Sequence, residues 1–364
     1  QRLCLEALQL TARLAPTTQH RLARTLLLAR ASLRPDDAAQ HDRELLQLGT
    51  VGARERPYDP EPQLSIGIAH NFLGEYRAAR TALQALRERL PQQAIVAYHL
   101  GWACLGTGEP AAAADHFEAA ALRLPMPWVV VPRAIALRDA GDDDGLDRLL
   151  ARLAAECEPR DGALVHELRR MQAAHALLRQ QPAAAADHLL ADLRWLLAQP
   201  TVLDNRAGEL AEQGEVLVRL GRGADLPNLL LAMQSQHPGS AVADACAYLS
   251  GLVQIAAQGE RLQTLEDQLG RGGDSVFALR LQAFAHERRG ELADLHAALA
   301  RAARLSDTPL TKALLAKSLA TMGKTTEAAA LRAALRREMT TIHLRQRPLH
   351  PLLGPELAYA FLLD

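Results

Sequence analysis

The chain has 364 residues, of which 49% are hydrophobic and only 4% aromatic, and its formal net charge is −1. A near-neutral balance without clustered positive charge excludes the electrostatic footprint of a nucleic-acid groove. No run approaches the ~18 apolar residues of a membrane span. The apolar content is largely Leu and Ala, both strong helix formers, so the composition predicts helices packed on helices. Arginine almost replaces lysine, which occurs at Lys312, Lys317 and Lys324. We read that bias as a GC-rich, bacterial coding sequence rather than as forks for phosphate.

In chain order, 3–14 reads as half a repeat and 18–33 as a helix carrying Leu22, Leu26, Leu27 and Leu28. A second helix follows near 37–48, then a loop ending in Pro57-Tyr58-Asp59-Pro60.

From Pro60 the sequence repeats itself at a constant offset of 34 between 60–93 and 94–127. Gly67 matches Gly101, Gly74 matches Gly108, Ala79 matches Ala113, Leu83 matches Phe117, Leu86 matches Ala120 and Pro91 matches Pro125. Each position has a physical reason. Gly67 and Gly101 fall mid-helix, where glycine costs about 1 kcal/mol against alanine, so close contact with a partner helix must offset it. Gly74 and Gly108 supply the left-handed residue that ends the first helix. Glu75 and Glu109 suit the first turn of the next helix, and Pro91 and Pro125 stop it.

This pattern resembles the tetratricopeptide repeat (TPR) family. The resemblance implies an all-α fold: a right-handed superhelical solenoid of antiparallel helix pairs. A Gly-to-Pro interval of 17 fits Gly74–Pro91, Gly108–Pro125 and Gly221–Pro238, and Gly141–Pro159 misses it by one. Weaker copies centre on Gly259, Gly290 and Gly323, and Gly259-Glu260 and Gly290-Glu291 repeat the Gly-Glu turn. Residues 1–58 are thus degenerate helical repeats, 59–160 TPR-like repeats and 207–338 degenerate TPR-like repeats. Between them 161–206 is an irregular pair, with Gln180-Gln181-Pro182 in place of the glycine turn and a long helix from about Ala183 to Gln199. The segment 339–364 is a tail whose PELAYAFLL stretch would cap the last apolar face or serve as a partner-binding motif.

In this family the first helix of each pair lines the concave surface. Carried over, that implies a partner-binding groove of Leu64, Ile68, Asn71, Phe72, Tyr98, Trp102, Leu105, Trp128, Arg138, Phe277, Arg280 and Phe284, with Ile95, Val131, Ile135, Glu215, Val218, Glu287 and Lys317 at similar positions. Among 13 aromatic side chains, Phe72, Tyr98, Trp102 and Trp128 fall in one neighbourhood, as binding hot spots do; filling inter-repeat core is the alternative. Chaperone-binding members place Asn where Ile68 and Trp102 stand here, so that activity is not expected.

The search for chemistry yields nothing. No P-loop, GxSxG or HExxH motif occurs. Cys4, Cys104, Cys157 and Cys246 lack metal or disulfide spacing, and Cys104 and Cys246 read as small buried hydrophobes. The adjacent pairs Asp115-His116 and Asp187-His188 point ~100° apart on a helix and cannot share a metal. Asp142-Asp143-Asp144 reads as an acidic helix start, and Ser275 as an N-cap. The expectation is no enzyme, no cofactor and no metal, but a protein- or peptide-binding scaffold. Alternatives are the regulatory or sensory module of a larger protein, and a periplasmic scaffold for envelope or polysaccharide export. The compartment expected is cytoplasmic, or periplasmic if a signal peptide precedes Gln1.

Overall fold

A computed structural model describes residues 15–33, 37–124, 127–156, 162–204, 206–258, 275–305 and 308–346. All described elements are helical. The half-repeat at 3–14, Gly259-Glu260, Pro125, Pro159, Cys4, Cys157 and the PELAYAFLL tail lie outside those residues. Backbone contacts divide the chain into two compact units, the first holding residues up to 152 together with 340–346 and the second holding 153–339. The helix that crosses 152 lies mostly in the first unit, and the helix that crosses 339 mostly in the second.

The first unit contains α1 (Pro16–Leu33), α2 (Ala38–Glu55), α3 (Pro60–Phe72), α4 (Tyr76–Arg89), α5 (Ala94–Gly106), α6 (Pro110–Ala121), α7 (Pro127–Ala140) and α8 (Asp143–Glu156). Each helix from α1 to α6 packs on the next, and alternate helices α1, α3, α5 and α7 also touch. Helices joined by turns this short run antiparallel, so the unit is a stack of pairs.

The expected helix near 37–48 runs further, through Gly49 and Gly52 to Glu55. Those glycines are not breakers. A Cβ on Gly49 would lie 2.9 Å from the Pro62 carbonyl oxygen, and one on Gly52 would lie 3.0 Å from the Pro62 ring. Both therefore let α3 approach α2 closely. The predicted loop supplies the next start: Asp59 accepts the Glu61 amide at 3.1 Å, with Pro60 in the first turn. Asp142 likewise accepts the Gly145 amide at 2.9 Å at the start of α8.

The second unit contains α9 (Gly162–Leu178), α10 (Pro182–Leu197), the short α11 (Pro200–Leu203), α12 (Ala207–Arg219), α13 (Pro227–Gln236), α14 (Ala241–Gln258), α15 (Val276–Arg289), α16 (Leu292–Leu305), α17 (Pro309–Thr321) and α18 (Thr325–Gln346). The pairs α9–α10, α13–α14, α15–α16 and α16–α17 pack directly, and α12 packs on α14. Its core gathers Leu189, Leu193, Leu217, Cys246, Leu249 and Phe284 among others.

One turn recurs in both units. Gly74, Gly108, Gly141, Gly221, Gly290 and Gly323 all have φ between 71° and 81°. The amide after each returns to a carbonyl five residues back, as in Glu75 N to His70 O at 2.8 Å and Glu291 N to His286 O at 3.0 Å. This 6→1 bond closes the helix and satisfies its terminal carbonyls. Gln180 takes the same conformation at φ 55° without being glycine.

Candidate functional site

The structure corrects the groove expected in the first unit. Leu64, Ile68, Phe72 and Tyr98 are buried, and Trp102 and Asn71 have no exposed surface (0%). The indole of Trp102 lies edge-on to Phe117 at 5.5 Å and to Tyr98 at 6.3 Å, and Tyr98 meets Phe117 at 5.9 Å. The cause is Gly101. Its missing Cβ leaves a notch that Phe117 of α6 fills, and the α5 aromatics close around that ring. Asn71 is likewise structural, its Nδ2 donating to the His99 carbonyl at 2.8 Å and tying α3 to α5. Val131 and Ile135 are buried, Ile95 and Leu105 half-buried. Arg138 Nε meets Asp139 at 3.1 Å. Trp128 stands in α7, its side chain outside the described residues.

The second unit brings its expected positions together. Leu177, Val218, Val253, Ala256, Phe284 and Leu314 form the floor and walls of a groove of about 770 Å³, with Arg219, Glu287, Arg288 and Lys317 around it. These residues come from α9, α12, α14, α15 and α17. Four expected positions, Val218, Phe284, Glu287 and Lys317, lie along it, although Val218 and Phe284 are themselves buried, each 5% exposed. Phe277 is not among them: it is half-buried and stacks on Tyr248 at 4.8 Å.

Arg280 lies beneath, buried, and donates to Glu215. Glu215 also accepts Tyr248 Oη at 2.6 Å and the Arg219 guanidinium at 2.9 Å. Arg219 then reaches Glu287 and lies over the Phe284 ring, 5.1 Å from its centroid. Burial alone would raise the Glu215 carboxyl, but Arg280 and Arg219 override it and hold it at about 2. Arg219 is thereby fixed from two sides before any ligand arrives.

A second buried network lies on α9, α10 and α12. Glu209 accepts from His166 at 2.7 Å, from Arg170 at 2.9 Å and from Arg206 at 2.9 Å. Asp192 lies 2.7 Å from the other His166 nitrogen and accepts Gln213 Nε2 at 2.9 Å. Burial opposes the Glu209 charge, yet Arg170 and its other partners hold the group at about 2. Sequence reasoning missed both networks. The signal was available: Glu209, Glu212, Glu215 and Arg219 recur along α12 at helical spacing among residues that, Gln213 and two glycines aside, are apolar.

Among the described residues His286, Glu291 and Asp294 bring ligand atoms within 4.8 Å of one another. His286 already meets Glu291 at 2.7 Å, and Arg289 lies 3.8 Å from the same carboxylate oxygen, a poor setting for a cation. No helix among the described residues is long and apolar enough to cross a membrane.

No family model matches the sequence. No curated protein matches it either. Among solved structures, a chain of the APC/C hetero-tetramer Cut9–Hcn1 is similar, with a TM-score of 0.37, 12% identity, and 90% of this chain and 67% of that one covered. A chain of the Naa15/Naa10 complex bound to HypK-THB gives a TM-score of 0.23 and 11% identity, covering 85% and 67%. At such scores neither says anything about the site, which stands on its own geometry.

Proposed function

We propose that this chain is a protein- or peptide-binding scaffold whose binding surface is the groove of the second unit. One observation carries the reading: five helices place an apolar floor beside charged side chains that intramolecular ion pairs already hold. A preformed site of this kind binds without a large ordering cost. Its lining residues include no His, Cys, Ser or Thr, and Glu287 is the carboxylate among them. They offer recognition rather than a nucleophile with a base.

The test is display selection of peptides against the full chain, repeated with Ala256→Trp, which fills the groove from a half-buried wall position. Peptides selected on the wild type should lose binding to the variant while its helicity and melting stay unchanged. Equal binding to both proteins would move the surface elsewhere.

A further inference from the structure

We infer that the seam between α4 and α6 in the first unit binds an oxyanion of the phosphate class, held by Arg87 and Arg123. The site belongs to the first unit alone and does not depend on the groove of the second. The Arg80–Glu109 ion pair ties α4 to the start of α6. From there Arg80 and Arg87 lie two turns apart on one face of α4. Ala112, His116 and Ala119 recur along α6 at helical spacing, and Arg123 follows just past its end. Charges act across the seam: Arg87 and Arg80 on His116, and Arg123 on Arg87. Alanine at 112 and 119 keeps that strip of α6 low.

Arg87 is the unusual member. It is half-buried, its Nη1 is enclosed without an acceptor, and no ion pair engages it among the described residues. A buried donor left in this way is costly, and a charged one more so. Burial lowers its pKa, and the Arg123 charge lowers it further. Arg123 is exposed and donates to two neutral oxygens, Gln92 Oε1 and the Ala119 carbonyl at 3.4 Å. The carboxylates of the two helices do not neutralise this pair. Glu109 takes Arg80, Glu118 takes Arg133, and Glu88 and Asp115 are exposed without an ion pair among the described residues. His116 is lowered by burial and then by Arg87, so at neutral pH it adds a ring nitrogen but no third charge. A carboxylate would balance one of the two guanidinium charges. A phosphate dianion balances both and offers three oxygens to two planar forks, where charge-assisted hydrogen bonds are strongest. At this one place the arginine bias reads as forks for phosphate.

The test is calorimetric titration of the full chain in mildly alkaline buffer at constant ionic strength. The probes are orthophosphate, acetate and a phosphoserine peptide with both termini blocked. Orthophosphate should bind at least about tenfold tighter than acetate, and Arg87→Gln and Arg123→Gln should each weaken it about tenfold. Arg148→Gln, an exposed change on α8, should leave it unaltered. Since Arg87 lacks a partner, Arg87→Gln should melt no lower than the wild type without phosphate. At phosphate tenfold above its dissociation constant the wild type should gain about 3 °C and the variant nothing. Tighter binding of the phosphoserine peptide than of orthophosphate assigns an attached phosphoryl group, and weaker binding a free anion. Equal affinity for acetate and phosphate overturns the phosphate class. Absence of phosphate binding, or binding that survives both Arg87→Gln and Arg123→Gln, overturns the site.

Discussion

A Cβ placed on Gly101 would lie 2.7 Å from Cε1 of Phe117, and one repeat earlier a Cβ on Gly67 would lie 2.5 Å from Cδ2 of Leu83. The two pairs are related by the same 34-residue offset, so each glycine is a notch for a buried apolar side chain of the partner helix. Gly101→Ala gains about 1 kcal/mol of helix propensity. Overpacking against a fully buried ring costs about 1–3 kcal/mol and exceeds that gain. A lowered urea midpoint is expected, partly restored by Phe117→Leu in the double variant.

Trp102 separates core from groove. Its 0% exposure and edge-on contacts predict that Trp102→Ala lowers stability by about 3–5 kcal/mol. Thermal melting of the variant checks this, and an unchanged melting curve would return the indole to the surface.

Gln180 holds a left-handed conformation that seven glycines hold elsewhere among the described residues. A side chain there costs about 1–2 kcal/mol. Gln180→Gly should raise the urea midpoint by an amount worth about 1 kcal/mol, after glycine's greater unfolded-state entropy is subtracted. The same change at an exposed helix interior such as Arg148 should lower it.

The units should respond to acid at different pH. Burial first, then Arg24, lowers His99 in the first unit from 6.5 to about 3, so it folds neutral. Its stabilisation is present above the unfolded value and is lost as pH falls from 6.5 towards 3. Glu209 and Glu215 in the second unit are held at about 2 against 4.5. Their contribution, on the order of a few kcal/mol, is lost only as pH falls from 4.5 towards 2. Hydrogen exchange followed through acid titration should show protection failing around α5 before α12, and His99→Asn should narrow that gap.

Breaking the buried pair from one side should be severe. Arg280→Met leaves the Glu215 carboxylate facing only Arg219 and Tyr248, and the expected loss is about 3–5 kcal/mol. A double change of Arg280→Met with Glu215→Leu should recover much of it. Chemical denaturation of the three variants supplies the measurement.

The helix pairs were legible because their punctuation is local chemistry. A left-handed φ selects glycine at 74, 108, 141, 221, 290 and 323 whatever surrounds it, and a mid-helix glycine at 67 or 101 implies a close neighbour. Periodicity alone could not distinguish a glycine that ends a helix from one that admits another, which is why α2 was expected to stop before Gly49. Nor could it place the aromatics. Tyr98, Trp102 and Phe284 occupy like positions on first helices and all three are buried, but Phe117 encloses the first two while Arg219 lies over Phe284 at the edge of a groove. That difference is set by neighbours from other helices. Glu215 and Arg280 are 65 residues apart and meet because α12 and α15 both flank α14. The sequence by itself determined the repeat, its turns and the absence of known catalytic motifs, since these depend on residues near one another in the chain. Burial, charge pairing and the groove depend on side chains converging from several helices, and only the tertiary structure decided them.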